Sequence, residues 1–153
     1  MGKVVLITGS SSGLGKRMVE EFSSSGYVVY AASRNPERLE FTRRGIYLIK
    51  LDVIKDSDCK EAIEYILKKE GKLDILVNAA GYSIAGPSLD FSSQDYLSIL
   101  DTNVVGAFRL IRQVVPHMKK KRSGKIINIT SLNGLVSLPN FGLYSSSKFA
   151  FEA

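Results

Sequence analysis

The sequence has little of what metal sites, disulfide frameworks and membrane spans require. Its 153 residues include one cysteine, one histidine and no tryptophan. A lone Cys59 cannot form an internal disulfide, and a lone His117 cannot build a metal site from several histidines. No apolar run approaches the roughly 20 residues that span a bilayer, and Val4–Ile7 is too short for a signal-peptide core. We therefore expect a cytoplasmic chain without a bound metal or a membrane partner.

Positive charge is in excess, with a formal net charge of +6. Part of that excess lies in the run Lys119-Lys120-Lys121-Arg122, at the end of a predicted helix. Cations there interact favourably with the helix dipole. The alternative is a nucleic-acid surface, but no aromatic side chains interleave the run and no nucleic-acid-binding motif accompanies it. We therefore expect no nucleic-acid partner.

Predicted strands and helices alternate along the whole chain. Helices are predicted from Gly13 to about Ser25, from a cap at Asp56, from Ser92-Ser93, and from Asn103 to about Met118. Alternating units of this kind form a parallel sheet with right-handed crossovers. We expect an α/β, Rossmann-type doubly wound sheet in the order 3-2-1-4-5, with helices on both faces and residues 1–153 as a single domain. The predicted strands are Lys3–Thr8, Tyr27–Ala32, Ile46–Leu51, Ile75–Asn78 and Lys125–Thr130.

Two details of packing and completeness follow from the same patterns. The long helix should bury Phe108, Ile111, Val115 and Met118, and Cys59 lies on the apolar stripe of its own helix. The chain stops within a helical pattern after Tyr144, and the fifth strand would be an uncovered apolar edge. We interpret the domain as incomplete at its C-terminus, with the last strands missing.

A glycine-rich turn follows the first strand and opens the first helix. Its glycines permit a tight turn and close approach of a pyrophosphate, and the helix N-terminus supplies free N–H groups. Glycine-rich turns also join many strands and helices without binding a ligand, so the strand-turn-helix context carries the prediction. The candidate dinucleotide-binding residues here are Thr8, Gly9, Ser11, Ser12, Gly13, Leu14 and Gly15.

Residues after the second, third and fourth strands extend this candidate site. An acidic residue that would bind the ribose hydroxyls of NAD is missing after the second strand, where Ser33-Arg34 favours the 2′-phosphate of NADP. Arg34 could instead be an ordinary surface arginine. Asp52-Val53 could meet the adenine, or Asp52 could serve only in a turn. Asn78-Ala79-Ala80-Gly81 places small residues beside the cleft and also suits a tight turn.

Near the end of the chain, Tyr144 and Lys148 lie one helical turn apart on one face. An ammonium group beside a phenol favours the phenolate form. Ser131 follows the fifth strand and should meet them at the same edge of the sheet. A Tyr-x-x-x-Lys sequence is common by itself, and its value comes from the nucleotide turn upstream.

Together these motifs resemble the short-chain dehydrogenase/reductases along the whole chain. Asn78-Ala79-Ala80-Gly81 is similar to their Asn-Asn-Ala-Gly motif, and Asn103, Ser131, Tyr144 and Lys148 are similar to their catalytic tetrad. The resemblance implies that Tyr144 is the general acid/base, that Lys148 tunes it and binds the nicotinamide ribose, that Ser131 binds the substrate oxygen, and that Asn103 holds a proton-relaying water.

Within that family, the segments around Ser33–Glu37 and Gly81–Pro87 resemble the 17β-hydroxysteroid-dehydrogenase-like branch. This implies an NADP(H)-dependent oxidoreductase that interconverts an alcohol and a ketone or aldehyde on a small apolar substrate. Members often pair through their long helices, which implies a homo-oligomer for a full-length protein. The alternative is a nucleotide-binding module without turnover, because the family's last strands and substrate lid are missing.

Overall fold

The computed structural model describes residues 2–153 and contains one five-stranded parallel sheet. The strand order is β3-β2-β1-β4-β5, and all four neighbouring pairs are parallel. This confirms the predicted doubly wound order, which places the reversal of winding between β1 and β4. The strands are β1 (Val4–Ile7), β2 (Val28–Ser33), β3 (Ile46–Lys50), β4 (Ile75–Asn78) and β5 (Lys125–Asn128).

Helices follow the strands and cover both faces of the sheet. A π-helical segment, Asp101–Val105, joins α3 to α4, and short 3₁₀ turns lie at Pro36–Arg38, Ser88–Asp90 and Leu132–Gly134. The π-helical segment lies at the start of the long helix that the sequence predicts from Asn103. The helices are α1 (Gly13–Ser24), α2 (Asp56–Glu70), α3 (Ser93–Leu100), α4 (Gly106–Lys121) and α5 (Gly142–Glu152).

Alternation along the central strands divides the core between the two faces of the sheet. Leu6 and Leu76 are fully buried in a cluster with α2 and α4, whereas Ile7 and Val77 are fully buried in a second cluster with Val19 of α1. Successive strand residues point to opposite faces, so a strand buried on both sides has an unbroken apolar sequence. Both faces of the central sheet are therefore closed to water.

The buried stripe of α4 differs from the prediction. It is formed by Ala107, Leu110, Val114 and Met118, while Phe108 is 55% exposed. Ile111 and Val115 are only partly buried at the margin of the stripe. Phe108 precedes Leu110 by two residues, which is roughly 200° around an α-helix, so its ring lies on the outer face.

The helix ends agree with the sequence at α3 and differ at α2. Ser92 caps α3 in a capping box with Asp95, whose backbone N–H donates to the Ser92 hydroxyl at 3.2 Å. Asp56 is the first residue of α2 and not its cap, because the preceding Lys55 holds the cap position without a side-chain bond. The Asp56 carboxylate lies instead 3.4 Å from the Arg109 guanidinium.

The basic run lies at the C-terminal end of α4, as predicted. Lys119, Lys120 and Lys121 form the last turn, and Arg122 ends the helix in a left-handed conformation with φ 50°. Lys121 Nζ donates to the carbonyl of Gly71 at 2.5 Å, where α2 ends. Cations here meet the negative end of the helix dipole, which stabilises this end of α4.

Residues 2–153 contain neither a membrane-spanning helix nor a metal-binding cluster. No helix in that range is both long and apolar enough to cross a bilayer. Over the same range, no group of three or more His, Cys, Asp or Glu side chains is arranged to hold a metal ion. Cys59 is a residue of α2 and is fully buried in the core, as its place on the apolar stripe predicts.

Candidate functional site

A cavity of about 460 Å³ opens where the strands end, around the reversal of winding. It receives residues from the turn after β1 and from the segments after β2, β3 and β4, together with one residue of the π-helical segment. Ligands of doubly wound sheets bind at this place, in the crevice beyond the strands' carboxyl ends. The lining residues are Thr8, Gly9, Ser11, Ser33, Arg34, Leu51, Asp52, Val53, Ile54, Ala80, Gly81, Tyr82 and Thr102.

The glycine turn is packed so tightly that two of its glycines leave no room for a side chain. Gly9 has φ +67°, and a Cβ there would lie 2.7 Å from the carbonyl oxygen of Ala79. A Cβ on Gly15 would clash with the carbonyl of Gly9. Gly13 also has a positive φ, +53°, but faces open space. Gly9 and Gly15 are therefore required by packing and Gly13 by its backbone conformation.

The N-terminus of α1 points its free donors toward this turn. The helix begins at Gly13, and its cap residue Ser12 makes no side-chain bond to the helix. Uncapped N–H groups and the positive end of the dipole together form a site for an anion. Ser11 and Leu14 are exposed beside these donors, and Ser11 lines the cavity.

Thr8 joins the glycine turn to the segment after β4. Its side chain is buried, and its Oγ1 accepts hydrogen bonds from the backbone N–H of Ala79 at 3.1 Å and of Ala80 at 3.0 Å. Asn78, at the end of β4, donates from Nδ2 to Asn128 Oδ1 on β5 at 2.9 Å. The Asn-Ala-Ala-Gly segment therefore ties β1, β4 and β5 together at the floor of the cavity.

Ser33 and Arg34 meet the cavity at the end of β2. The Ser33 hydroxyl oxygen is buried and has no hydrogen-bond partner within residues 2–153. Arg34 is exposed next to it, and both residues line the cavity. A buried hydroxyl without a partner is costly unless a ligand or water satisfies it, which makes this pair a candidate anion subsite.

Asp52 serves in a turn and also lines the cavity. Its Oδ1 accepts from the backbone N–H of Ile54 at 3.3 Å, an Asx-type turn, and its own N–H donates to Asp58 Oδ2 at 3.1 Å. Val53 lies beside it as part of the apolar core. The turn sets the direction of the cavity wall after β3.

Asn103 is fully buried in the π-helical segment and clamps the segment that follows Gly81. Its Oδ1 accepts from the N–H of Tyr82 at 3.0 Å, and its Nδ2 donates to the Tyr82 carbonyl at 2.9 Å. The same Nδ2 donates to Ser147 Oγ on α5 at 3.0 Å. Both amide donors are therefore used, and the side chain acts here as a brace between two segments of the site.

Lys148 brings α5 to the end of β5. Its ammonium donates to the carbonyl of Ile129 at 2.9 Å and lies 5.8 Å from the centroid of the Tyr144 ring. Ser131 stands two residues beyond Ile129, where its Oγ accepts from the N–H of Asn133 at 3.2 Å. A Cβ on Gly81 would be 4.0 Å from Lys148 Nζ and 3.0 Å from Asn103 Oδ1, which places Asn103 and Lys148 beside the cavity, whereas Ser131 and Tyr144 are not among its lining residues.

The burial of Lys148 disfavours the charged form of its side chain. Burial lowers the pKa of its ammonium group below the ordinary value, although the nearby Glu152 carboxylate opposes that shift. The Thr130 hydroxyl donates to Glu152 Oε1 at 2.5 Å, which holds the end of α5 against the residue after β5. The lysine is therefore anchored by a carbonyl and by its helix rather than by a direct ion pair.

Sequence reasoning missed several residues of the site. Ser147 is fully buried, accepts from Asn103 and donates to the carbonyl of Tyr144 at 2.7 Å, yet in sequence it is a spacer between tyrosine and lysine. Tyr82 and Thr102 adjoin predicted site residues and line the cavity. The sequence signal for Tyr82 and Thr102 was that each is adjacent to a predicted site residue, Gly81 or Asn103. Leu51 and Ile54 flank Asp52-Val53 in the same way.

A family model described as short chain dehydrogenase matches residues 3–153. A 3-ketodihydrosphingosine reductase of Bacteroides thetaiotaomicron is 38% identical over 152 residues, which are 98% of this chain and 55% of that protein. A 3-oxoacyl-[acyl-carrier-protein] reductase FabG of Staphylococcus epidermidis is 33% identical, over 97% of this chain and 64% of its own length.

Among solved structures, ElxO with NADP bound superposes with a TM-score of 0.90 at 35% identity. The match covers 98% of this chain and 64% of ElxO. A tyrosine-to-phenylalanine variant of ElxO has also been solved with NADPH bound and matches equally well. This chain thus spans between 55% and 64% of the length of these three proteins.

Proposed function

Because the chain belongs to the short chain dehydrogenase family, we propose that it is part of an NADP-dependent oxidoreductase that interconverts an alcohol and a ketone. The observation that carries the proposal is the meeting of two sets of residues at Gly81. On one side lies a nucleotide-sized cavity, and on the other lie Asn103 and Lys148 within 4.0 Å of the position of a Gly81 Cβ.

The cavity residues fit an adenine dinucleotide phosphate. The uncapped start of α1 and the side-chain-free surface of Gly9 suit a pyrophosphate, and the orphaned Ser33 hydroxyl with exposed Arg34 suits a 2′-phosphate. In this proposal Asp52 and Val53 border the adenosine, and Asn78 to Gly81 border the nicotinamide half. The bound cofactor supplies or accepts a hydride. The NADP bound to ElxO agrees with this choice of cofactor.

The chain's own side chains supply the proton chemistry. In the proposed mechanism the Tyr144 phenol gives its proton to the substrate oxygen during reduction and takes it back during oxidation. The Lys148 ammonium lies 5.8 Å from the centroid of the Tyr144 ring and, in this proposal, borders the nicotinamide ribose. The Ser131 hydroxyl binds the substrate oxygen. Asn103 uses both amide donors on the protein, so its proposed water would rest on the remaining lone pair of Oδ1 or on the π-helical backbone.

For the substrate we propose an apolar ketone. Leu132 and Leu138, 68% and 46% exposed, form an apolar surface beyond Ser131, and the Phe141 ring lies 6.4 Å from the Tyr144 ring. Two relatives are named for 3-keto or 3-oxo substrates on aliphatic chains, which favours a ketone of that class. The preference for a small substrate and the 17β-hydroxysteroid-like branch stay predictions. Two of the relatives are named as reductases, so the comparisons do not favour the alternative, which is a nucleotide-binding module without turnover.

The experiment is NADPH oxidation by the full-length protein that contains this chain, with 3-ketodihydrosphingosine, a 3-oxoacyl thioester, a steroid ketone and cyclohexanone as substrates. We expect turnover of at least one apolar ketone. Absence of turnover with all four, despite tight NADPH binding, would contradict the proposed reaction.

Cofactor preference is tested separately by titrating NADPH and NADH. A charge-assisted bond contributes about 1.5–3 kcal/mol, so Arg34 should favour NADPH by about ten- to a hundredfold. Arg34→Asp should remove that preference and favour NADH. Arg38→Asp is the matched control, since Arg38 is also exposed nearby but does not line the cavity. Equal affinities in the unaltered protein would rule out the 2′-phosphate subsite.

A further inference from the structure

Arg109, in the first turns of α4, joins three segments around the cavity. Its Nη1 lies 2.7 Å from Asp101 Oδ1 and donates to the carbonyl of Val53 at 3.3 Å, while its Nε lies 3.4 Å from Asp56 Oδ2. The side chain is only 15% exposed. One planar guanidinium thus connects the wall after β3, the start of α2 and the start of the π-helical segment.

The segments joined by Arg109 belong to two different parts of the proposed site. Val53 lines the cavity on its adenosine side, whereas Asp101 begins the π-helical segment that carries Thr102 and Asn103. Gly106 allows α4 to lie against Val53, because a Cβ there would be 2.8 Å from Val53 Cγ2. The wall and the π-helical segment are therefore both packed and hydrogen-bonded to one another through the first turn of α4.

The value of this contact lies in its geometry rather than in ionic stabilisation. Asp56 is 77% exposed and Asp101 39% exposed, so solvent screens much of both ion pairs. A guanidinium can hold a carboxylate and a carbonyl at fixed angles with several donors, which a lysine ammonium on a flexible stem cannot reproduce. An arginine therefore suits this position better than a lysine would.

We infer that Arg109 is a positioning residue that makes the adenosine-side wall and the Asn103-bearing π-helical segment move as one unit. Occupation of the adenosine side then rigidifies the segment that braces Tyr82 and Ser147. This inference rests on the proposed cofactor. The inference goes beyond the proposed cofactor because Arg109, which lines no part of the cavity, then positions the segment that carries Asn103.

The test uses 2′,5′-ADP, a fragment that lacks the nicotinamide, together with amide hydrogen exchange. In the unaltered protein, saturating fragment should slow exchange at residues 52–54 and also, by about tenfold, at residues 103–105. In Arg109→Met the slowing at 52–54 should remain and the slowing at 103–105 should fall below about twofold. Arg112→Met is the matched control, since Arg112 is exposed on the same helix and contacts the Phe108 ring at 5.7 Å.

The outcomes separate this inference from the cofactor proposal. If the unaltered protein does not bind 2′,5′-ADP, the cofactor assignment fails and the inference fails with it. If binding occurs and Arg109→Met shows full slowing at 103–105, the inference alone is overturned. Should Arg109→Met unfold or lose the fragment, Arg109→Lys replaces it. That variant keeps the charge but not the planar fork, and slowing at 103–105 as large as in the unaltered protein would overturn the inference equally.

Discussion

The two ends of the proposed site are held in place by different means. We call the part around Gly9 and Gly81 the nucleotide end and the part around Tyr144 and Lys148 the chemical end. The strands that lead to the glycine turn and to Gly81 are the better buried, and every residue of β1 and β4 is buried. Of the four residues of β5, which leads toward Ser131, three are exposed and one is half-buried. The cavity floor is therefore built into the core, while Tyr144 and Lys148 lie on α5, next to the exposed edge strand β5.

This difference has a physical consequence for each end. At the nucleotide end, close packing sets the backbone: Gly9 and Gly15 touch neighbouring carbonyls and tolerate no side chain. At the chemical end, individual hydrogen bonds do that work, from Lys148 to Ile129 and from Asn103 to Tyr82. Substitutions at the first end should cost stability, and substitutions at the second should cost turnover.

The largest expected effect is at the chemical end. Tyr144→Phe removes the proton donor, and general acid catalysis is typically worth about 10²–10⁴-fold, so kcat should fall by at least about 10². The dissociation constant for NADPH and the free energy of unfolding should barely change. Steady-state ketone reduction and urea denaturation measure these quantities. Tyr65→Phe, on the exposed side of α2, is the matched control. Near-normal turnover in Tyr144→Phe would remove the phenol from the mechanism.

The next largest effect is at the nucleotide end and contrasts two glycines with positive φ. Gly9→Ala combines about 1–2 kcal/mol of backbone strain with about 1–3 kcal/mol of steric overlap against Ala79. Gly13→Ala should carry the backbone strain alone, because its Cβ would face open space. Urea denaturation of both variants should therefore rank Gly9→Ala well below Gly13→Ala in stability. Equal losses would mean that packing does not set the turn.

The smallest expected effect concerns the Cys59 thiol and tests whether water reaches it in the core. Burial raises the pKa of the Cys59 thiol to about 11. The folded chain then keeps a proton that the unfolded chain loses near pH 8.5, so stability should fall as pH rises from about 8.5 toward 11. Between pH 8 and 10 the loss from this group is about 1–2 kcal/mol.

Comparison with Cys59→Ala isolates that contribution, because all other groups titrate equally in both proteins. The variant should lose stability through its cavity at every pH, but its free energy of unfolding should decline less between pH 8 and 10. Parallel pH profiles of the two proteins would show that water reaches the thiol. Such a result would also weaken the contrast between the buried strands of the nucleotide end and the exposed strand of the chemical end.

Much of this architecture could be predicted from residue order alone. Apolar runs such as Val4–Ile7, separated by glycine turns, predict the strands, and their alternation with helical patterns predicts the sheet order, because crossovers between parallel strands are right-handed. The Phe108 error has a local cause: periodicity does not show which face of a helix meets the sheet. The π-helical segment was missed because nothing in Asp101–Val105 signals the extra residue in its turn.

Residue order alone gives the side chains at each chain position: a glycine turn after a strand, an arginine after the second strand, and a tyrosine four residues before a lysine. Which distant side chains meet depends on the folded chain. The fold bonds Asn103 to Tyr82 and Ser147, and it joins Val53 to Asp101 through Arg109. Backbone propensities act within a few residues, whereas the hydrogen bonds of Asn103 and the bond from Arg109 to Val53 join residues 21 to 56 positions apart along the chain and exist only once the sheet has formed.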